Sequence, residues 1–300
     1  MKEQQRKFRL VDGLLIAMMV LPMLAAIILQ VLTKPASEGV SITGARIFFS
    51  IPMPLMPLVI TEAQVNTWLV MISITGLCLF LTHGIRENKR GFRQMAAEWI
   101  VEKLDGLVRD NMDPVFHSTY APFIGAIMAL SVFSSLMTLF GLFPPTSDVN
   151  VIAGWGILVF ILITKNKLKA GVPNYLKGFT EPFALMLPMN IISEVATPVS
   201  MTFRHFGNVL SGSVISALVA WALSGASNAL LGWLPGVLGD IPFLQIGIPA
   251  ILSAYFDVFS GCIQAFIFAM LTMLYISSAY PGESIAAREQ RKKREPAMAR

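Results

Sequence analysis

Apolar residues stand in long runs along this chain, at residues 14–32, 65–82, 120–143, 149–164, 187–223 and 249–280. A run of about 18 or more apolar residues reads as a helix that crosses a bilayer. The strands of a membrane barrel would show short alternating segments instead. The pattern therefore predicts an all-α polytopic membrane protein with about six transmembrane helices. The last two runs are over-long. At about 1.5 Å per residue a 35-residue helix reaches about 50 Å, whereas the hydrocarbon core is about 30 Å thick. Such helices must tilt steeply or extend well beyond the core, so the C-terminal part is expected to be a long, steeply tilted hairpin of two unbroken helices.

The polar stretches give the connections. Residues 33–63 are polar and carry Pro52, Pro54 and Pro57, so they cannot form one continuous helix. Residues 86–113 are the most charged part of the chain. Within them Met95, Ile100, Val101, Leu104 and Leu107 recur at roughly helical spacing, which suits a helix lying on the membrane surface; an ordinary solvated connection is the alternative. The sequence from Pro144 to Asn150 reads as a turn and helix-cap signal. Residues 224–247 hold several glycines and prolines, with Asp240 as their only charge.

Composition agrees with this class. Of 300 residues 55% are hydrophobic and 14% charged, with a mean hydropathy of +0.66, which leaves too few charges for the surface of a soluble domain of this size. The net charge of +5 does not point to nucleic acid, because the lysines and arginines sit in short connections and at the ends. The first 12 residues, the connections after the second and fourth runs, and residues 281–300 carry most of them, those after the third and fifth none. Six spans with both termini in the cytoplasm satisfy the bias of basic residues toward the cytoplasm. The first run has a second reading, a cleaved signal sequence; its length and the lack of a clean small-residue cleavage site favour a retained helix. Cys78 and Cys262 lie in apolar runs, and His83, His117 and His205 are scattered, so neither a disulfide framework nor a metal site is expected. No phosphate-cradling glycine loop, nucleophile elbow or paired-histidine zinc motif is present. No cofactor or covalent chemistry is expected, and energy coupling must pass through a partner.

Arg204 lies near the middle of the fifth run. An arginine at mid-membrane costs between about 3 and 15 kcal/mol, cannot neutralise itself, and here has apolar-biased sequence on both sides that makes snorkelling hard. A fixed ion pair within the chain would account for it, but no acid stands at helical spacing on its own helix. Asp257 falls early in the sixth run, on the outer side if the fifth run travels outward, and Gln264 lies two turns further in on the same face, with Gly261 between. Glu194, ten residues before Arg204, falls on the inner side; Asn208 follows Arg204 by one turn. An acid displaced to each side of a fixed positive charge suits two offset half-pathways separated by a barrier. Ser200, Gly207, Ser211, Gly212, Ser213 and Ser216 crowd the same helix. Ordinary helix packing explains any one of them; together with Arg204 they make a face another helix could slide past.

The stretch Pro198-Val-Ser-Met-Thr-Phe-Arg204-His-Phe-Gly207-Asn208 resembles the signature of F-type ATP synthase subunit a. Gln264-Ala-Phe-Ile-Phe, the Pro145-Thr-Ser-Asp148-Val-Asn150 turn, Lys177-Gly-Phe and Leu187-Pro-Met-Asn190 also fit, in order, over roughly residues 65–280. The resemblance implies a bacterial inner-membrane stator subunit, non-catalytic by itself, working against a rotating c-ring beside subunit b of the peripheral stalk and the rest of the complex. The ion would be a proton, with sodium as the alternative. Arg204 would be the stator charge; Asn208, Gln264, Ser213 and Ser200 would line the route; Asp257 would be the inlet acid and Glu194 an outlet acid. Many members carry a histidine or glutamate where Asp257 stands, and some a glutamate where Ser213 stands, so a simple acid–histidine relay is not expected. Residues 1–64, an extra helix and external segment, are least covered by the resemblance; residues 65–300 are its core. A secondary transporter with Arg204 holding an anionic substrate is the rival reading, and an assembly factor leaves the arginine unexplained. No internal repeat of the transporter kind is visible.

Overall fold

The computed structural model describes residues 2–33, 44–54, 57–85, 91–112, 114–169, 171–180, 183–231, 244 and 247–279. The six apolar runs are six helices long and apolar enough to cross a membrane. The basic residues Arg86, Lys89 and Arg90, the segment 232–243 with Asp240, and the basic stretch 281–300 lie outside the described residues.

Helix α1 (Lys2–Thr33) packs along α2 (Glu62–Thr82). Between them the described residues 44–54 and 57–61 are not helical, and they form a two-stranded antiparallel ribbon that the sequence pattern did not reveal: β1 (Ile47–Ile51) pairs with β2 (Leu58–Thr61), Phe49 opposite Ile60 and Ile51 opposite Leu58. The ribbon hands the chain directly to α2, whose first amide, that of Glu62, bonds the Arg46 carbonyl at 2.7 Å.

The contact between α1 and α2 is close because Gly76 has no side chain. A Cβ there would meet the Met19 backbone nitrogen at 2.9 Å. Ala26 and Val70 are buried with Met137 and Leu142 in a small cluster beside this contact. At one end Asp12 pairs with Arg93 at 2.8 Å, and Arg93 also lies over the Phe80 ring. At the other end the Gln30 amide donates to the Gly141 carbonyl. Backbone cannot yield as a flexible side chain can, so Gly76→Leu is expected to cost about 1–3 kcal/mol through overpacking. A lowered unfolding midpoint in detergent would show it; an unchanged midpoint would mean that α1 does not pack on α2.

Helix α3 (Phe92–Asn111) agrees with the amphipathic reading. Leu104 and Leu107 pack toward the core beside buried Val108, while Phe92, Met95, Trp99, Ile100 and Val101 are exposed. So part of the expected apolar set faces protein, and the rest faces outward together with two aromatics, as a helix at a bilayer surface requires.

Helix α4 (Pro114–Leu136) ends in a 3-10 turn, Met137–Phe140, closed by Gly141 in the left-handed region at φ +71°. The expected cap falls on Asp148: its carboxylate accepts from the Asn150 amide at 2.9 Å and starts α5 (Val149–Leu168). A short helix, α6 (Val172–Phe179), leads to α7 (Leu187–Leu231), 45 residues in one helix with Pro198 inside. It runs well past the expected end at residue 223.

The sixth run departs from the unbroken helix expected of it. Helix α8 (Ile248–Ser253) passes into a π-helical turn, Ala254–Ser260, before α9 (Gly261–Ser278) restores the ordinary ladder. Helices α4, α5 and α9 form the core around Ile124, Trp155, Val159, Phe268 and Met273, with Met201 reaching in from α7. By contrast α7 leaves Val195, Val199, Phe203, Leu210, Leu218 and Trp221 exposed. Apolar exposure on that scale is untenable in water and fits lipid or a partner subunit.

Candidate ion pathway

The side of α7 away from the core carries a row of small residues around one charge. Ser193, Ala196, Ser200, Arg204, Gly207 and Ser211 follow one another at steps of three and four, which keeps them on a single face. Ser193, Ala196, Ser200, Arg204 and Ser211 are exposed and Gly207 half-buried. Pro198, Met201, His205 and Gly212 on the opposite face are buried. Among the described residues Arg204 has no ion pair. The fixed intramolecular pair that could have explained this arginine is therefore not present there.

Asp257 lies within the π-helical turn, which widens the helix by one residue and re-aims the side chains around it. The Ser253 hydroxyl donates to Asp257 Oδ2. Asp257, Asn208 and Ser213 wall a small cavity of about 20 Å³ together with Ser135 of α4 and Thr138 of the 3-10 turn that follows it. By that measure it has room for one water molecule. Asn208 donates to Ser260 Oγ at 3.0 Å, which ties α7 to the π turn. Ser213 turns its hydroxyl back to the Leu210 carbonyl at 2.8 Å. Gln264, seven residues after Asp257, is buried on the face of α9 shared with Gly261 and Phe268. At Gly261 a Cβ would stand 2.5 Å from that of Ser135, so the glycine lets α9 and α4 meet at the cavity wall.

Glu194 is apart from this group. It lies ten residues before Arg204, about 15 Å along the helix, while the cavity lies on the other side of Arg204, at the level of Asn208 to Ser213. Glu194 Oε1 meets Lys167 Nζ at 3.1 Å and accepts from the Tyr175 hydroxyl at 3.0 Å. Burial first, then the hydrogen bond to Glu194 and that residue's charge, push the Tyr175 hydroxyl up to about 12. The tyrosine thus stays a donor across the working pH range. Its contribution to stability is complete below pH 10 and fades as pH rises toward 12.

The structure thus brings Asp257, Asn208 and Ser213 together, sets Gln264 just inward of them, leaves Ser200 on the open face beside Arg204, and places Glu194 in a separate polar cluster. Lys167 and Tyr175 were not singled out from the sequence, where they read only as parts of a basic connection. Ser131, Ser134, Ser135 and Thr138 were missed as well, although their spacing of three, one and three residues marks a polar stripe in an apolar run. A larger cavity of about 290 Å³ between α5 and α7, walled by Ala153, Ile157, Phe160, Val199 and Phe203 among others, is apolar and offers nothing to hold an ion.

Comparison with known proteins bears on this arrangement. The chain is 30% identical over 228 residues to ATP synthase subunit a 2 of Bradyrhizobium sp. (strain BTAi1 / ATCC BAA-1182), covering 74% of this chain and 90% of that protein. It is 30% identical over 221 residues to ATP synthase subunit a of Desulforamulus reducens, covering 72% and 78%. With the sodium ion specific ATP synthase subunit a of Propionigenium modestum it shares 26% over 273 residues, covering 79% and 86%. The sequence model of the family described as ATP synthase A chain matches residues 64–277, from the second residue before α2's Asn66 to the end of α9, and so takes in Arg204, the Asp257 cavity and Glu194. The chain belongs to the ATP synthase A chain family.

Proposed function

We propose that this chain carries ions past a rotating c-ring through two offset half-pathways, with Arg204 as the barrier between them. The observation that carries the reading is the exposed face of α7, where Arg204 stands without an ion pair among the described residues in a row of small side chains. An unpaired arginine in an apolar setting is costly, so it needs a counter-charge from outside the chain, and a ring carboxylate sliding along the small-residue row would supply one. Family membership makes the chain a non-catalytic, ion-translocating subunit of the ATP synthase membrane sector and a multi-pass membrane protein.

The ion loads from the outer side by way of Asp257, with Asn208, Ser213 and Gln264 beside it, crosses on a ring carboxylate, and leaves toward the cytoplasm near Glu194. Helix α7, about 68 Å long, lies aslant to fit the bilayer, with Ser200 on its ring-facing side. The chain sits in the bacterial inner membrane with its C-terminus cytoplasmic, beside subunit b. The ion is the proton, with sodium the alternative that the Propionigenium modestum relative keeps open. One charge crossing 100 mV releases about 2.3 kcal/mol, so several ions must be added up for each ATP, which a ring does.

The test is ATP-driven ion uptake by inverted vesicles carrying the whole complex, read with a pH-sensitive dye and with labelled sodium in parallel. Uptake of either ion is expected and identifies it; uptake of neither would sink the proposal. A second experiment concerns Glu194. Glu194→Gln is expected to lower pumping, and the exchange of charges in Lys167→Glu with Glu194→Lys is expected to restore assembly while pumping stays low. Full pumping by the exchanged pair would make Glu194 an anchor for α7 and nothing more.

A further inference from the structure

The ribbon of β1 and β2 lies outside the residues that the family model matches, which begin at residue 64, and the ion pathway does not use it. Its register sorts its side chains by face. Residues paired across an antiparallel ladder share a face, and neighbours along a strand alternate. Phe49 stands opposite Ile60, Ile51 opposite Leu58, and Ser50 opposite Val59. One face is therefore Phe49, Ile51, Leu58 and Ile60, wholly apolar, and the other carries Ser50 and Val59. The apolar face is bare: Phe49 is 60% exposed, Ile51 and Leu58 are exposed, and Ile60 is half-buried. From Ile47 to Thr61 the sequence has no charged residue. The base of the ribbon is fixed. The Glu62 amide bonds the Arg46 carbonyl, and Arg46 Nε stands 3.8 Å from Glu62 Oε2. One turn on, the Asn66 side-chain amide donates to the Phe143 carbonyl at 2.8 Å, which ties this end of α2 to the turn beyond α4.

Helix α2 has 21 residues, so it is about 31 Å long, which matches a hydrocarbon core of about 30 Å. Its first turn, and the ribbon bonded to it, therefore stand at the boundary between hydrocarbon and headgroups. A strand of five residues reaches about 17 Å, whereas the headgroup layer on one side is about 5–8 Å deep. A ribbon standing upright would carry its apolar face into water, where an isolated two-stranded hairpin is marginally stable at best. A ribbon sunk in the core would leave the outer edges of both strands without hydrogen-bond partners, since among the described residues the sheet has only these two strands. Lying flat at the boundary avoids both costs. We propose that the ribbon is a lipid-binding foot. At the end of the bundle where α2 begins, its face of Phe49, Ile51, Leu58 and Ile60 rests on the acyl chains of that leaflet, with Ser50 and the strand edges turned to the headgroups. Lipid is the occupant because Val31 and Leu32 of α1 present exposed apolar side chains at the same end, the end that Gln30 ties to Gly141. Four side chains are also a small face against the about 800 Å² that each partner buries in a stable protein interface. The inference depends on α2 crossing the membrane and not on the ion pathway.

The experiment uses the whole complex in vesicles of phosphatidylethanolamine and phosphatidylglycerol, with Cys78→Ala and Cys262→Ala and no other reactive cysteine. Nitroxide labels are placed singly through Phe49→Cys, Ser50→Cys and Ile51→Cys. Electron paramagnetic resonance then measures their collisions with oxygen, which concentrates among acyl chains, and with a water-soluble nickel chelate. The ratio of oxygen to nickel collisions is expected to be several-fold higher at positions 49 and 51 than at position 50. A ratio as low at 49 and 51 as at 50 would place the ribbon in water. Few collisions with either reagent at 49 and 51 would place the face against a partner subunit. Either result would overturn the proposal. Phe49→Glu combined with Ile51→Glu is expected to lift the face, read as a several-fold rise in nickel collisions of a label placed through Leu58→Cys, while ATP-driven ion uptake stays near native. An unchanged nickel collision rate would overturn the proposal, and so would loss of assembly, which would assign the face to a protein contact.

Discussion

Arg204→Ala is expected to abolish ATP-driven ion uptake while leaving ATP hydrolysis by the detached catalytic head intact. The expected size follows from electrostatics. A unit charge about 4 Å from a carboxylate contributes about 4 kcal/mol at the effective dielectric of a partly hydrated protein site, and each 1.4 kcal/mol is about tenfold in rate. Losing that attraction removes the force that strips the ion from an arriving ring carboxylate, so pumping should fall by about a thousandfold, below detection in vesicles. It also removes the positive barrier between the inlet and outlet sides, so passive leak through the membrane sector should rise. Arg204→Lys is the discriminating companion. It keeps the charge but loses the planar two-pronged donor geometry, and it should retain part of the activity with little leak. Native pumping by Arg204→Ala, in a complex shown to be assembled, would mean that the exposed row on α7 is a packing surface and would reopen the transporter reading.

Asp257→Asn should have the second largest effect, because among the described residues Asp257 is the sole acid lining its cavity. A positioned proton-transfer group contributes about 10²–10⁴-fold, and an amide can neither take up nor release the proton. A loss of about 100-fold in proton pumping is therefore expected. If sodium is the ion, the effect should be milder, since asparagine keeps an oxygen that could coordinate the cation. The ratio of the two losses, measured with the dye and with labelled sodium, thus reports on the ion as well as on the residue. Asp257→Glu restores the acid with one more methylene and should recover part of the rate. An Asp257→Asn complex that pumps both ions at the native rate would remove Asp257 from the path.

The layout of the site was legible in the sequence to different depths. Arg204 stood out because nothing else explains a permanent charge in the middle of a long apolar run. Asp257 stood out for the same reason. Their relation did not, because it depends on how separate helices pack and on a π-helical turn that no periodicity announces: Asp257 lies in the widened turn Ala254–Ser260 and lines one cavity with Asn208 and Ser213. Glu194 was read as a lone acid, and its partners Lys167 and Tyr175 lie 27 and 19 residues away in sequence on other helices. The ribbon of residues 47–61 escaped because two short strands interrupted by prolines lack the alternation that marks a half-buried sheet.

The sequence by itself determined the class, the number of spans and the helix cap between Pro144 and Asn150, since each rests on local chemistry: the solvation of backbone and side chains in hydrocarbon, or the closing of one turn. It also showed which charges stand inside long apolar runs. Only the tertiary structure decided that α1 lies against α2 at Gly76, that His205 points away from Arg204 into a cage of Ser131, Trp155 and Phe268, and that α4 forms part of the cavity wall. In an apolar run every face of a helix is compatible with lipid, so hydrophobicity does not say which face meets protein. Close packing of particular side chains makes that choice, and it is a property of the assembled helices.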